Sequence, residues 1–213
     1  MEQVRIAYTV KGSGRPLIIL HGNSEDHTIF REAADVLAHY FTVYTPDSRC
    51  HGQSTDTEEL HYRDMADDMI RFMEQLDLRD VIFAGFSDGG IVGLIAAAKC
   101  DRITSLITCG ANVTPFGVAP WLRLMIKGMY LASKDKKMGL MLNEPDISDQ
   151  ELQSIKAKTL VCAGSKDLVK LSETEHIAEM IPDAELLILP EETHTSYTVH
   201  STKLADVILN FVL

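Results

Sequence analysis

Short apolar runs alternate with amphipathic stretches along almost the whole chain. Residues 4–10 read as a strand, Gly12-Ser13-Gly14 as a turn, and residues 17–20, apolar throughout, as a second, fully buried strand. Phe30, Ala33, Ala34, Leu37 and Ala38 recur at helical spacing over residues 27–40, and 41–44 is the next strand. Residues 62–76 set Met65, Met69, Ile70, Phe72, Met73 and Leu76 against Asp64, Asp67, Asp68, Arg71 and Glu74, which predicts an amphipathic helix. The apolar run 81–85 is a strand, 91–98 is of helical length, and 103–108 is again a strand. Residues 158–163 and 184–189 are further strands, with helices at 172–180 and from about 196 to 212. Strands alternating with helices predict an α/β fold with a single, mainly parallel sheet and helices on both faces. Right-handed crossovers then gather the functional loops at the C-terminal edge of that sheet.

The apolar run ends in Gly85-Phe86-Ser87-Asp88-Gly89-Gly90. G-x-S-x-G between a strand and a helix has the form of a nucleophile elbow; the bland alternative is a glycine-rich turn. The sharp bend holds the Ser87 hydroxyl clear of the sheet, and the Asp88 amide sits at a helix N-terminus, where it can face an oxyanion. The Asp88 side chain is expected to point elsewhere. A serine needs a base, and the base needs a third group to orient it. Asp167 ends a strand-to-loop run and His194 lies between the last strand and the last helix, so Ser87, Asp167 and His194 fall in the expected order. His200 is the nearest rival base, inside the predicted final helix. The amide of Asn23, in Leu20-His21-Gly22-Asn23-Ser24 after the second strand, is the second oxyanion donor, unless His21-Gly22 is merely a turn.

These motifs, with Asp47-Ser48-Arg49-Cys50-His51-Gly52-Gln53-Ser54 and Gly164-Ser165-Lys166-Asp167, resemble the α/β-hydrolase superfamily, in its small esterase and haloperoxidase-like branch. The resemblance spans nearly the whole chain. It implies a serine hydrolase that cleaves a small carboxylic ester, or an amide or thioester, through an acyl-enzyme and without a cofactor. Acyl transfer or carbon–carbon bond hydrolysis on the same three residues stays open, as does a ligand receptor on a hydrolase scaffold. Two departures stand out. Cys50 occupies a position where the family usually has glycine, and the family's first antiparallel strand is expected to be missing here.

Residues 111–157 are too long for a simple crossover. Trp121, Leu122, Leu124, Met125, Ile126, Met129, Tyr130 and Leu131 are mostly apolar, with Arg123 and Lys127 on a polar face, and Ser148-Asp149-Gln150-Glu151 matches a capping box. The stretch reads as a small helical cap inserted in a single domain spanning 1–213, with an extra pair of core helices as the alternative. Trp121, Met125 and Met129 are the candidate substrate wall. From 113 to 141 five basic residues face Asp135 alone, which suggests either a solvated face or attraction of acidic substrates.

The 213 residues carry a net charge of −11, which argues against nucleic acid and anionic membranes as partners and leaves a small molecule. No apolar run reaches membrane-spanning length. Met1-Glu2-Gln3-Val4-Arg5 lacks the basic and apolar regions of a leader, and the four cysteines are widely spaced; a cytoplasmic protein with reduced thiols is expected. No metal-binding spacing is present, and Gly12-Ser13-Gly14 opens no helix and so fails as a nucleotide loop. Cys109 reads as a buried structural thiol, and His51 as a residue that shapes its loop.

Overall fold

The computed structural model describes residues 4–213; the reading of Met1, Glu2 and Gln3 lies outside them. Seven strands form one sheet: β1 (Tyr8–Gly12), β2 (Pro16–Leu20), β3 (Thr42–Pro46), β4 (Val81–Phe86), β5 (Ile103–Cys109), β6 (Lys158–Lys166) and β7 (Ala184–Thr193). Their spatial order is β1-β3-β2-β4-β5-β6-β7. β1 runs antiparallel to β3, and every other pairing is parallel. No strand precedes β1 among the described residues. The 4–10 segment is extended later than expected, because Arg5 and Ala7 spend backbone bonds on the loop after β3 (Thr55 N–H to Arg5 O, Asp47 N–H to Ala7 O) and not on a strand ladder.

β4, buried at every position, is the middle strand of the sheet. Its side chains alternate between the two faces, as a strand period of two requires. Val81 and Phe83 join the core under α2 (Tyr62–Gln75), α3 (Asp88–Lys99), α6 (Asp149–Gln153) and α7 (Leu171–Met180). Ile82, Ala84 and Phe86 join the core under α1 (Arg31–Leu37) and α8 (Lys203–Val212). Each fully buried Leu, Ile or Phe contributes about 1.5–3 kcal/mol by leaving water, so these two layers hold the sheet rigidly beneath its C-terminal loops.

Two predicted helices change at their ends. Residues 27–40 break into a 3-10 turn (His27–Phe30) and α1, with Asp26 accepting from Thr28 N–H as the cap. The closing helix starts at Lys203, because 195–200 is a turn that ends in His200 at φ +49°, a conformation no helix accommodates. Between β5 and β6 lie α4 (Pro120–Ser133), α5 (Lys136–Asn143) and α6. Ser148 and Glu151 form the expected capping box at α6. Arg123 on α4 reaches the Leu142 carbonyl at the end of α5, and its guanidinium stacks 4.5 Å over Phe116.

Candidate active site

β4 ends against the backbone of α3 with no room for side chains at the bend. A Cβ at Gly85 would lie 2.1 Å from the Gly89 carbonyl oxygen, and one at Gly89 would lie 2.2 Å from the Leu20 carbonyl oxygen. Ser87 sits between them at φ +53°, ψ −117°, a strained conformation for a residue with a side chain. Its N–H donates to Cys109 O (2.8 Å), and its carbonyl accepts from Gly90 and Ile91 N–H, so the strain is held from both sides.

Two other strand ends supply its partners. His194 follows β7 directly, and its Nε2 lies 3.1 Å from Ser87 Oγ. Its Nδ1 lies 2.6 Å from Asp167 Oδ1, in the loop after β6. The Asp167 side chain is wholly shielded from solvent and also accepts from Val169 N–H (2.9 Å), which fixes the carboxylate that orients the ring. Nδ1–H donates to Asp167, and Nε2 is left to accept the Ser87 hydroxyl proton. The three predicted residues are therefore in hydrogen-bond series. His200 is not near them: it is exposed and pairs with Glu32 at 3.4 Å.

The loop after β2 is braced group by group. His21 Nδ1–H donates to Gly22 O (2.8 Å), while Ser48 N–H donates to His21 Nε2 (3.0 Å). Gly22 N–H donates to Glu25 Oε2 (3.0 Å). Among the described residues neither the Asn23 nor the Asp88 backbone N–H has an acceptor, and both residues line the cavity that Ser87 and His194 open into. The Asp88 side chain does not point away, as adjacency to the serine suggested: it is buried in the cavity wall and accepts from Asn23 Nδ2 (2.9 Å).

The cavity encloses about 250 Å³. Leu122, Met125, Ile126 and Met129 of α4 and Met138 and Met141 of α5 form its apolar side. Trp121 does not line it; that residue is 59% exposed on the outer side of α4. The lining contains no lysine or arginine but three carboxyl groups, Glu25, Asp88 and Glu144. None of the five basic residues of 113–141 lines the cavity, and two of them are engaged elsewhere, Arg123 on carbonyls and Lys136 on Asp56, so attraction of acidic substrates into the site is not supported. Burial pushes the Glu25 carboxyl above its ordinary range, with the Gly22 N–H pulling it back. Burial likewise raises Asp88, against hydrogen bonds from Asn23 and Tyr62. Glu25, Tyr62 and Glu144 carried no sequence signal, because each reaches the cavity from a loop or helix end outside any motif.

The neighbouring loop explains the two remaining sequence features. Cys50 adopts φ +63°, the left-handed region that favours glycine, and its Sγ packs 3.2 Å from Thr57 Oγ1. His51 is buried with Nδ1 on Arg49 O (2.8 Å), its ring 5.2 Å from that of His21, and burial lowers its pKa to about 4. Cys109 is held as a thiol by the Cys162 thiol beside it and by burial, in keeping with a structural role. No cluster of metal-ligating side chains occurs among the described residues. No helix among them is long and apolar enough to cross a membrane.

The sequence profile of the alpha/beta hydrolase fold family matches residues 15–130, just over half of the chain. The AB hydrolase superfamily protein YisY of Bacillus subtilis is 26% identical over 99% of this chain and 96% of its own length. A thermophilic esterase from Thermogutta terrifontis superposes with a TM-score of 0.80 at 21% identity, covering 98% of this chain and 93% of that one. A bromoperoxidase from Bacillus anthracis gives 0.80 at 20% identity, over 98% and 95%. With its elbow, sheet order and sequence in agreement, the chain belongs to the alpha/beta hydrolase family.

Proposed function

We propose that this α/β hydrolase cleaves small carboxylic esters through an acyl-enzyme on Ser87. The observation that carries the reading is the continuous series Ser87 Oγ, His194 Nε2, His194 Nδ1, Asp167 Oδ1 at 3.1 and 2.6 Å. His194 takes the hydroxyl proton as Ser87 attacks the carbonyl, and Asp167 stabilises the imidazolium that forms. The free amides of Asn23 and Asp88 receive the oxyanion, His194 returns the proton to the leaving alcohol, and water then releases the acid. Each step uses side chains and amides of this chain, and no cofactor is required. In this reading 1–213 is one domain, and α4 and α5 cap the site, with Met125 and Met129 as an adaptable wall. The free cysteines fit a reducing compartment such as the cytoplasm.

Cavity size and charge narrow the substrate. About 250 Å³ suits a short acyl chain, and a lining with carboxyl groups and no basic side chain disfavours anionic esters. The test pairs covalent labelling with a substrate series. A fluorophosphonate should label wild-type protein at Ser87. Ethyl butanoate should be hydrolysed with a higher kcat/KM than ethyl dodecanoate or monoethyl succinate. Activity that rises steadily with chain length and again at an oil–water interface would sink the size argument, and an unlabelled Ser87 would sink the mechanism.

A further inference from the structure

The two residues whose amides are the proposed oxyanion donors are also joined through their side chains. Asn23 and Asp88 lie 65 positions apart, one on the loop after β2 and the other at the first position of α3, yet Asn23 Nδ2 donates to Asp88 Oδ2 at 2.9 Å. The same Nδ2 donates to the Lys137 carbonyl of α5 at 3.3 Å, and Asn23 Oδ1 accepts from Ser24 Oγ at 2.9 Å. The polar capacity of the Asn23 side chain is therefore committed, while its backbone N–H is left without an acceptor among the described residues.

We infer that the buried Asp88 carboxylate is a positioning residue: by clamping the Asn23 side chain it fixes the spacing of the two oxyanion amides. Among the described residues no other hydrogen bond joins the two. The bracing by His21 and Glu25 acts on the Gly22 peptide group, so it sets the tilt of the Asn23 amide but not its distance from the elbow. Asp88 is 3% exposed and its carboxylate accepts from Asn23 Nδ2 at 2.9 Å, so the carboxylate is held in one place. Its seat in the first turn of α3 suits a negative charge, because the helix dipole presents its positive end there. Hydrogen-bond donors stabilise a transition state only when they are already aimed at the developing charge, and a misplacement of about 1 Å can cost about 100-fold in rate. The bond from Asn23 to Lys137 O carries the same registration to α5, so the wall of the cavity is referenced to the oxyanion site as well.

The inference rests on the acyl-enzyme reading, and its test separates the two. The rate of Ser87 labelling by a fluorophosphonate is measured for each variant, with kcat and KM for ethyl butanoate and circular dichroism as the check on folding. N23D sets two carboxylates against each other and should slow labelling and kcat at least tenfold, with KM within about twofold of wild type. N23D/D88N restores the hydrogen bond with donor and acceptor exchanged, and should recover at least half of that loss on a logarithmic scale. Should N23D fail to fold, N23A, D88A and the double variant form a cycle in which the double is no slower than the slower single. A double exchange no faster than N23D, additive losses in the alanine cycle, or losses confined to KM would each overturn the clamp. A wild-type chain that does not label overturns both the clamp and the acyl-enzyme reading, whereas a labelled wild type without rescue overturns the clamp alone.

Discussion

Helices α3 and α4 each follow a central strand of the same sheet, yet they meet their surroundings in opposite ways. Every residue of α3 from 88 to 97 is buried, and its backbone lies so close to β2 and β4 that glycine is required at Gly89. In α4 only Ile126 is buried, while Trp121, Leu124 and Leu131 stand 59%, 71% and 59% exposed. The first helix is fixed from all sides and starts at Ser87, the proposed nucleophile. The second is held mainly by α5 and by Arg123, and it carries the wall of the cavity. Rigid packing suits the group whose position sets the reaction, and looser packing suits side chains that must accommodate a ligand.

The sharpest break of this comparison is catalytic. His194→Ala should lower kcat for a short ester by at least about 10³-fold, and Asp167→Asn should cost less, because a misoriented base still takes some protons. Met125→Ala with Met129→Ala should leave kcat for ethyl butanoate within about tenfold and shift the preferred chain length upward. Equal losses from the two kinds of change, measured on one ester series, would show that α4 takes part in the chemistry and does not merely wall the cavity.

The next difference is in stability. Gly89→Ala should cost about 3 kcal/mol or prevent folding, because its Cβ meets backbone that cannot yield. Gly128→Ala in α4 meets nothing within 4 Å and should stabilise by up to about 1 kcal/mol, by helix propensity alone. Urea unfolding of both variants checks the pair, and a destabilised Gly128→Ala would mean that the outer face of α4 is covered in solution.

Acid offers a milder test, on the rigid side only. Burial holds His51 at about 4 against 6.5 for a free histidine, and lowers His21 as well, so the unfolded chain binds these protons first. Their contribution to stability is complete above pH 6.5 and is lost as pH falls toward 4. Glu25 and Asp88, raised by burial, act in the opposite sense in the carboxylate range, so the reading is a difference. His51→Gln should lose less melting temperature than wild type between pH 7 and pH 5. An identical loss in both would remove His51 from the account.

The sequence by itself determined the alternation of strands and helices, the elbow, and the order Ser87, Asp167, His194. Apolar periodicity and the glycine spacing of a tight bend are local properties, written into neighbouring residues. It also marked the capping box at Ser148 and the odd residue Cys50, whose positive φ supplies the reason glycine is usual there. Only the tertiary structure decided that the final helix begins at Lys203, that Trp121 faces outward, and that Glu25, Tyr62 and Glu144 meet in one cavity. Nor could adjacency to the serine reveal that the Asp88 carboxylate turns to a residue 65 positions earlier. Such contacts depend on how separate strand ends and an inserted helix pair come together in space, and a pattern along the chain carries no record of that approach.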